Sequence, residues 1–363
     1  MSAAYLTIYM LSSIFLIFLL LAPKFKLLPI LYYNIRFTMV LWLILLVQTI
    51  SCFSIAISEG DVMFALYWIL PFLLSCLMLF GSRIKALRGL RQRINDMTIF
   101  GFDGVLSLLV LYLFVLIFIY INQRNLLYHP TENNYLDDKI EFNHEEVLIE
   151  TDKNIKLKSW LIIKDLKKYK TLIFFHGNAG NLFNRVHKLN ELNKLDINIL
   201  IISWRGFSGN PGKPTEKNLY HDAKMSIKWL NNLGINNDKI ILYGESLGTG
   251  VAIELGQKDN FNGIILESPF TSVAKAAKIY YPYLPVNLLL KDRYDSINKI
   301  NKITNPVLIM HGMKDDIVPY GMGVELFQKA NQPKYSYFPE NDNHMMDFNE
   351  NLLDTIKVFI NNN

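Results

Sequence analysis

The chain has 363 residues, of which 51% are apolar and 19% charged, and its formal net charge is +5. The first 121 residues contain eight of the 37 Lys and Arg and four of the 32 Asp and Glu, so the remainder is nearly neutral. The net charge therefore gives no indication of an acidic partner, and we expect no nucleic-acid partner. Cys52 and Cys76 both precede residue 122, which excludes a disulfide framework, a cysteine nucleophile or a thiolate metal site in the remainder.

Four apolar stretches dominate the first third of the chain, at about 3–22, 37–57, 62–80 and 99–121. At about 1.5 Å per residue, each is long enough, or nearly so, to cross a hydrocarbon core of roughly 30 Å. The pattern predicts an all-α region of four transmembrane helices within residues 1–121, in contact with membrane lipids. A cleaved signal peptide is the alternative for the first stretch, but no basic residue precedes it.

Basic residues lie in two of the predicted loops. Lys24, Lys26 and Arg36 lie between the first and second stretches, and five more basic residues occupy 83–93. Because basic loops favour the cytoplasmic side, both termini are predicted on the opposite side of the membrane. We therefore expect a multi-pass membrane protein whose residues 122–363 are extracytoplasmic, and periplasmic in a Gram-negative host.

Residues 122–145 are polar and predict a linker, and residues 146–363 predict a single α/β domain. Apolar strands there alternate with helices, which is typical of a mostly parallel sheet flanked by helices, with its site beyond the carboxyl ends of the strands. The predicted strands cover 147–150, 155–163, 171–175, 199–203, 240–243, 263–267, 306–310 and 335–338. The predicted helices cover about 183–194, 215–233, 320–330 and 349–360, with another after residue 246.

The stretch 239–256 predicts a nucleophile elbow. A short apolar strand leads into the sequence GESLG, and a helical pattern follows at once. A reactive serine on a sharp strand-to-helix turn requires this context. Gly244 and Gly248 leave room for the neighbouring strand and helix, while Ser246 is held in a strained conformation. Ser246 is the predicted nucleophile.

A serine hydroxyl needs a general base, and the base needs an acidic group that orients it. In this fold the acid and then the histidine follow the serine, and only His311 and His344 lie beyond Ser246. His344, in the loop after the last strand, is the predicted base, whereas His311 ends an apolar strand and is interpreted as structural. Asp315 is the predicted acid, with the adjacent Asp316 as the alternative.

The tetrahedral intermediate of acyl transfer needs N–H donors aimed at its oxyanion. The backbone N–H of Leu247, next to the nucleophile, is the predicted first donor. Asn178, in the turn after the third strand, is the predicted second. His176 and Arg205 are interpreted as structural. The sequence has no clustered metal ligands and no Walker-type glycine loop, so we expect neither a metal nor a cofactor.

Seven motifs, taken in order, resemble those of the α/β-hydrolase superfamily, and they span roughly residues 125–360. They are HGNAGN, WRGFSGNPGKPTE, YGESLGTGVA, ESPFTS, LLKDRYDS, HGMKDDIVP and NDNH. Within this superfamily, the motifs are similar to those of a membrane-associated branch that includes protein depalmitoylases. The resemblance implies an α/β-hydrolase fold with Ser246 as nucleophile, Asp315 as acid and His344 as base. Its members hydrolyse esters, thioesters and sometimes amides, and four membrane helices are unusual among them.

Residues 270–300 form an insert rich in Tyr, Leu and Pro. It predicts a short cap whose apolar face borders an acyl pocket, with ordinary core packing as the alternative. Together the patterns predict a membrane-anchored serine hydrolase that cleaves an ester or thioester of a lipid or an acylated protein through an acyl-enzyme on Ser246. The alternatives are a serine peptidase of the same fold and a non-catalytic membrane scaffold.

Overall fold

A computed structural model of the protein describes residues 101–131 and 139–363. The chain divides into two compact units, Met1–Ile121 and Asn122–Asn363. The first three predicted membrane spans lie outside the described residues. Helix α1, Gly101–Leu127, covers most of the fourth.

No helix among the described residues is both long and apolar enough to span a membrane. The prediction of a fourth span at 99–121 is therefore not supported. Its uncharged apolar run, 105–121, is shorter than the roughly 20 residues of a typical span.

The second unit is built on a sheet whose strands alternate with helices. The strands of the described chain are β1 His129–Pro130, β2 Glu145–Asp152, β3 Ile155–Ile162, β4 Thr171–Phe175, β5 Ala179–Gly180, β6 Asn198–Ile202, β7 Ile240–Glu245, β8 Gly263–Glu267, β9 Val307–Met310 and β10 Lys334–Tyr337. The helices after α1 are α2 Val186–Leu192, α3 Glu216–Asn232, α4 Leu247–Gly256, α5 Val273–Tyr280, α6 Val286–Leu289, α7 Tyr320–Lys329 and α8 Glu350–Asn362.

Eight strands form one sheet in the order β10-β9-β8-β7-β4-β6-β3-β2. The strands from β10 to β6 are parallel, whereas β3 runs antiparallel to both β6 and β2. Strands β1 and β5 form a separate parallel pair. All eight predicted strands of the domain are present in the large sheet. The carboxyl ends of the six parallel strands share one edge, where the loops that follow them meet.

The sheet is covered on both faces, because its central strands are apolar on both sides. Every residue of β4, β6, β7, β8 and β9 is buried. One buried cluster includes apolar residues of α3, α4 and α7, and a second includes those of α2 and α8. This two-sided burial explains why these strands are continuous apolar runs in the sequence.

Residues 122–131 do not form the loose linker that the sequence predicted. Tyr128 is only 3% exposed and belongs to the larger core cluster. Its hydroxyl lies 2.8 Å from that of Tyr294 and donates to Asp292 at 3.3 Å. Arg124 forms an ion pair with the same carboxylate at 2.9 Å. These contacts between distant parts of the chain fix the end of α1 within the second unit.

Candidate active site

The strand-to-helix turn after β7 has the geometry of a nucleophile elbow. Ser246, between β7 and α4, has φ 49° and ψ −111°, and its N–H donates to the Glu267 carbonyl at 2.9 Å. Such a conformation costs of order 1–3 kcal/mol and persists only when its surroundings enforce it. A Cβ at Gly248 would lie 1.9 Å from the Phe175 oxygen, and one at Gly244 would lie 2.6 Å from the Gly248 oxygen. Both glycines are thus required by close backbone approach.

Ser246, His344 and Asp315 are joined by hydrogen bonds. Ser246 Oγ lies 3.0 Å from His344 Nε2, and His344 Nδ1 lies 2.7 Å from Asp315 Oδ2. A carboxylate can only accept, so the neutral imidazole carries its proton on Nδ1 and leaves Nε2 to accept from the serine hydroxyl. The three side chains come from loops after β7, β9 and β10, at the shared edge of the sheet.

Of the two adjacent aspartates, Asp315 faces the site. Its Oδ1 accepts the N–H groups of Ile317 and Val318 at 2.9 and 2.7 Å. Burial alone favours the neutral acid, but hydrogen bonds from His311 and His344 hold the pKa of Asp315 below its usual range. It therefore stays ionised. Asp316 is exposed and does not bond to His344.

His311, interpreted from sequence as structural, also contacts the acid. Its Nε2 lies 3.0 Å from both Asp315 Oδ2 and the Val318 carbonyl. Both partners accept, so Nε2 carries the proton and donates to the oxygen that also receives His344. A Cβ at Gly323 would lie 2.4 Å from the other ring nitrogen. The only hint in the sequence was the position of His311, four residues before Asp315.

The two segments that carry the predicted oxyanion donors both adjoin Ser246. Leu247 begins α4, and a Cβ built on Gly177 would lie 3.5 Å from the Ser246 Cβ, which places the Asn178 turn beside the nucleophile. In the described chain neither the Leu247 nor the Asn178 N–H donates a hydrogen bond. The Asn178 side chain donates to the Leu127 carbonyl at 2.8 Å. Within the described chain, neither N–H is thus committed to another acceptor.

In the described chain, His176 and Arg205 lie in buried polar networks and form no hydrogen bond with Ser246, His344 or Asp315. His176 is fully buried, and its Nδ1 donates to the Gly177 carbonyl at 2.8 Å. Burial, followed by the positive charge of Arg185, lowers the pKa of His176 to about 3, so the ring is neutral. Arg205 binds the carboxylates of Asp222 and Asp152. Both residues stabilise loops at the strand ends.

Two short helices, α5 and α6, occupy the insert at 270–300. Tyr280, the last residue of α5, donates to the carbonyls of Asp316 and Ile317 at 2.6 and 2.8 Å. The end of α5 therefore lies against the loop that carries the acid. Tyr281 and Leu288 are exposed. Across the described residues, no group of three or more His, Cys, Asp or Glu could hold a metal ion.

The chain is similar to proteins from bacteria to humans. An uncharacterized protein of Mycobacterium tuberculosis is 33% identical over 253 residues, which are 68% of this chain and 90% of that protein. Alpha/beta hydrolase domain-containing protein 17B of Homo sapiens is 33% identical over 195 residues, 52% of this chain and 66% of its own. The profile of the Prolyl oligopeptidase family matches residues 207–352. The chain belongs to the α/β-hydrolase superfamily.

Two further comparisons agree with this assignment. Protein bem46 of Schizosaccharomyces pombe is 31% identical over 256 residues, 66% of this α/β-hydrolase and 85% of that protein. A solved esterase of Pyrococcus furiosus shares the fold, with a TM-score of 0.53 at 21% identity, over 65% of this chain and 97% of its own. The superfamily and fold predicted from the motifs are thus confirmed, and the order Ser246, Asp315, His344 is the α/β-hydrolase order.

Proposed function

We propose that this protein is a serine hydrolase that cleaves an ester or thioester through an acyl-enzyme on Ser246. The observation that carries the proposal is the hydrogen-bond relay from Ser246 Oγ through His344 to Asp315, with contacts of 3.0 and 2.7 Å. A nucleophile, its base and an orienting acid within hydrogen-bond reach of one another are what acyl transfer requires.

The proposed reaction has two half-steps. Ser246 Oγ attacks the acyl carbonyl while His344 Nε2 takes its proton, and the N–H groups of Leu247 and Asn178 stabilise the oxyanion. His344 then gives that proton to the departing alkoxide or thiolate, which leaves the acyl group on the serine. A water deprotonated by His344 attacks the acyl-enzyme, the carboxylic acid departs, and Ser246 regains its proton.

Asp315 supports this cycle by staying ionised next to a histidine that becomes cationic in each half-step. The two backbone N–H bonds to its Oδ1 fix the carboxylate, so that Oδ2 holds the Nδ1–H tautomer of His344. A neutral amide at position 315 could stabilise neither the tautomer nor the imidazolium.

We propose a lipid-like acyl group as the substrate. Apolar side chains are exposed on the segments that carry or adjoin the catalytic residues, namely Met345 next to His344, Ile317 two residues after Asp315, and Tyr281 directly after α5. A long acyl chain could cover this surface, whereas a short soluble ester could not. The motif resemblance to depalmitoylase-like hydrolases supports the same class, which includes acylated proteins.

Membrane attachment and an extracytoplasmic hydrolase domain belong to the same proposal. The apolar stretches before residue 81 support attachment to the membrane. The extracytoplasmic side depends on the basic loops together with a further crossing at 99–121, because the basic loop at 83–93 favours the cytoplasmic side and the chain must cross once more after it. The test is alkaline carbonate extraction of membranes, combined with reporter fusions at the C-terminus that are active on only one side. Release by carbonate, or a reporter active only in the cytoplasm, would contradict this part of the proposal.

A peptidase is the second candidate, because the matching profile is that of the Prolyl oligopeptidase family. A peptidase acts by the same acyl-enzyme but must bind a peptide and protonate an amine. Parallel assays with p-nitrophenyl esters and acyl thioesters of increasing chain length, and with aminoacyl and prolyl amides, separate the two. A preference for the amides would replace the esterase proposal.

The test of an activated serine is fluorophosphonate labelling of the purified full chain. Wild type is expected to react, whereas Ser246→Ala and His344→Ala are expected to be unreactive. Asp316→Asn, the matched control for Asp315→Asn, is expected to react like wild type. If the folded wild-type protein fails to label, the proposal is refuted and the non-catalytic scaffold becomes the better description.

A further inference from the structure

A buried cluster of four charged residues lies directly behind the elbow. Its members are Arg185, Lys188, Glu245 and Glu267, none more than 5% exposed. Lys188 Nζ lies 2.9 Å from a Glu245 oxygen and 2.5 Å from a Glu267 oxygen, and Arg185 pairs with the other Glu245 oxygen at 2.6 Å. The Tyr243 hydroxyl donates to Glu267 at 2.6 Å. The cluster contains two cations and two carboxylates.

Stability alone does not account for such a cluster. Removing each charge from water costs several kcal/mol, and well-packed apolar residues often stabilise a core as well or better. What the charges supply is fixed geometry, because each pair holds two chain segments in one relative position. The chain segments that this cluster holds together therefore indicate what it positions.

One of these segments is the turn that carries the second proposed oxyanion donor. Glu245 Oε1 accepts the Gly177 N–H at 3.1 Å, and Arg185 Nη1 donates to the Ala179 carbonyl at 2.7 Å. The two contacts lie on either side of Asn178, whose own carbonyl accepts the His129 N–H at 2.8 Å. The peptide group that carries the Asn178 N–H is thus held through both of its neighbours.

The other segment is the nucleophile elbow. Glu245 is the last residue of β7 and immediately precedes Ser246, so its backbone belongs to the elbow while its carboxylate binds the turn. A Cβ at Gly177 would lie 2.9 Å from Glu245 Oε1, so the glycine permits this close approach. The Glu245 side chain therefore connects the nucleophile elbow directly to the turn that contains Gly177 and Asn178.

We infer that Glu245 is a positioning residue that fixes the position of the Asn178 N–H relative to Ser246. This inference rests on the serine-hydrolase function proposed above. Arg185 completes the clamp at Ala179. Lys188 neutralises the carboxylate, so that its charge does not oppose the oxyanion. The clamp touches neither the acyl group nor the reacting atoms. Its expected effect is on the transition state, where the oxyanion forms, and only weakly on binding of the ground-state substrate.

Glu245→Gln tests the inference. The glutamine side chain has the same shape as glutamate but lacks the negative charge. The carboxylate that it replaces binds Arg185, Lys188 and the Gly177 N–H at once. In the full chain, with rates normalised to active sites, we expect kcat to fall about 10- to 100-fold and KM to change less than about twofold. A trifluoromethyl ketone, which forms an oxyanion on Ser246, is expected to lose affinity by the same factor.

Two further variants make the result interpretable. Tyr243→Phe removes one hydrogen bond from the cluster without touching the turn, and it is expected to change stability but not the normalised kcat. Arg185→Lys keeps the positive charge but lacks the guanidinium group, whose two nitrogens donate to Glu245 and Ala179. This variant replaces Glu245→Gln as the test if Glu245→Gln fails to fold. Its expected changes are those of Glu245→Gln.

The outcomes separate the two proposals. An unreactive wild type refutes the serine-hydrolase function itself. With an active wild type, the inference is overturned if a clamp variant keeps its normalised kcat within about twofold. It is also overturned if kcat falls while the affinity for the ketone is unchanged, because the loss of activity would then not come from weaker stabilisation of the oxyanion.

Discussion

Acid is expected to destabilise this fold through His176, a buried histidine outside the Ser246, His344 and Asp315 relay. Its ring lies against Trp204 and Phe207, with centroid distances of 5.6 and 5.1 Å, and its side chain has no exposure. Burial, together with the nearby Arg185 cation, lowers its pKa to about 3. The folded protein therefore holds His176 neutral at pH values where the unfolded chain protonates it.

The sign and size of the effect follow from that difference in pKa. An unfolded histidine titrates near about 6.5, so the contribution is fully present above that pH and is lost as the pH falls through the folded value. Between the two, each pH unit costs about 1.4 kcal/mol, which gives about 2 kcal/mol between pH 6.5 and pH 5. That is a large fraction of the 5–15 kcal/mol typical of a domain.

Urea unfolding of the full chain at pH 7 and pH 5 measures this loss. The comparison is between wild type and His176→Gln, because groups common to both cancel in the difference. Wild type is expected to lose about 2 kcal/mol more than the variant over this range. Equal pH dependence in wild type and His176→Gln would refute the reasoning.

Two predictions concern the elbow and the acid. Asp315→Asn is expected to lower kcat about 10³- to 10⁴-fold, whereas Asp316→Asn stays within about twofold, in an ester hydrolysis assay at saturating substrate; similar losses in both would contradict the assignment. Gly248→Ala places a Cβ 1.9 Å from the Phe175 oxygen. It is expected to lower the unfolding free energy by more than about 3 kcal/mol, measured by urea unfolding, and a stable variant would show that the turn can open.

The elbow and its partners were predictable because their signals are local or follow from chain order. Gly244 and Gly248 flank Ser246 at fixed spacing, and the strand and helix on either side are visible as apolar patterns. Parallel strands deliver their following loops to one edge, so His344 and Asp315 had to lie near the serine. The sequence left Asp316 as an alternative, since adjacent carboxylates differ only in which of them the loop turns inward.

The clamp and the contact of His311 with the acid could not be predicted in this way. Lys188 and Glu245 are 57 residues apart, and a lysine in a short polar helix predicts a solvated charge rather than full burial. His311 ends a strand, where a buried structural histidine is the commoner case. In both, the deciding fact is a contact between elements that only the packed sheet brings together. Tyr128 is similar, since its partner Tyr294 is 166 residues away.

The two sides of the site use buried carboxylates for opposite purposes. Asp315 must remain an uncompensated anion, because His344 becomes a cation beside it during acyl transfer. The Glu245 carboxylate accepts the Gly177 N–H of the turn where negative charge develops, and an unpaired carboxylate there would oppose that charge. Arg185 and Lys188, which hold the pKa of Glu245 well below its usual range against the effect of burial, also cancel its field. Fixing the oxyanion turn through a carboxylate is therefore compatible with catalysis only because both cations are buried with it.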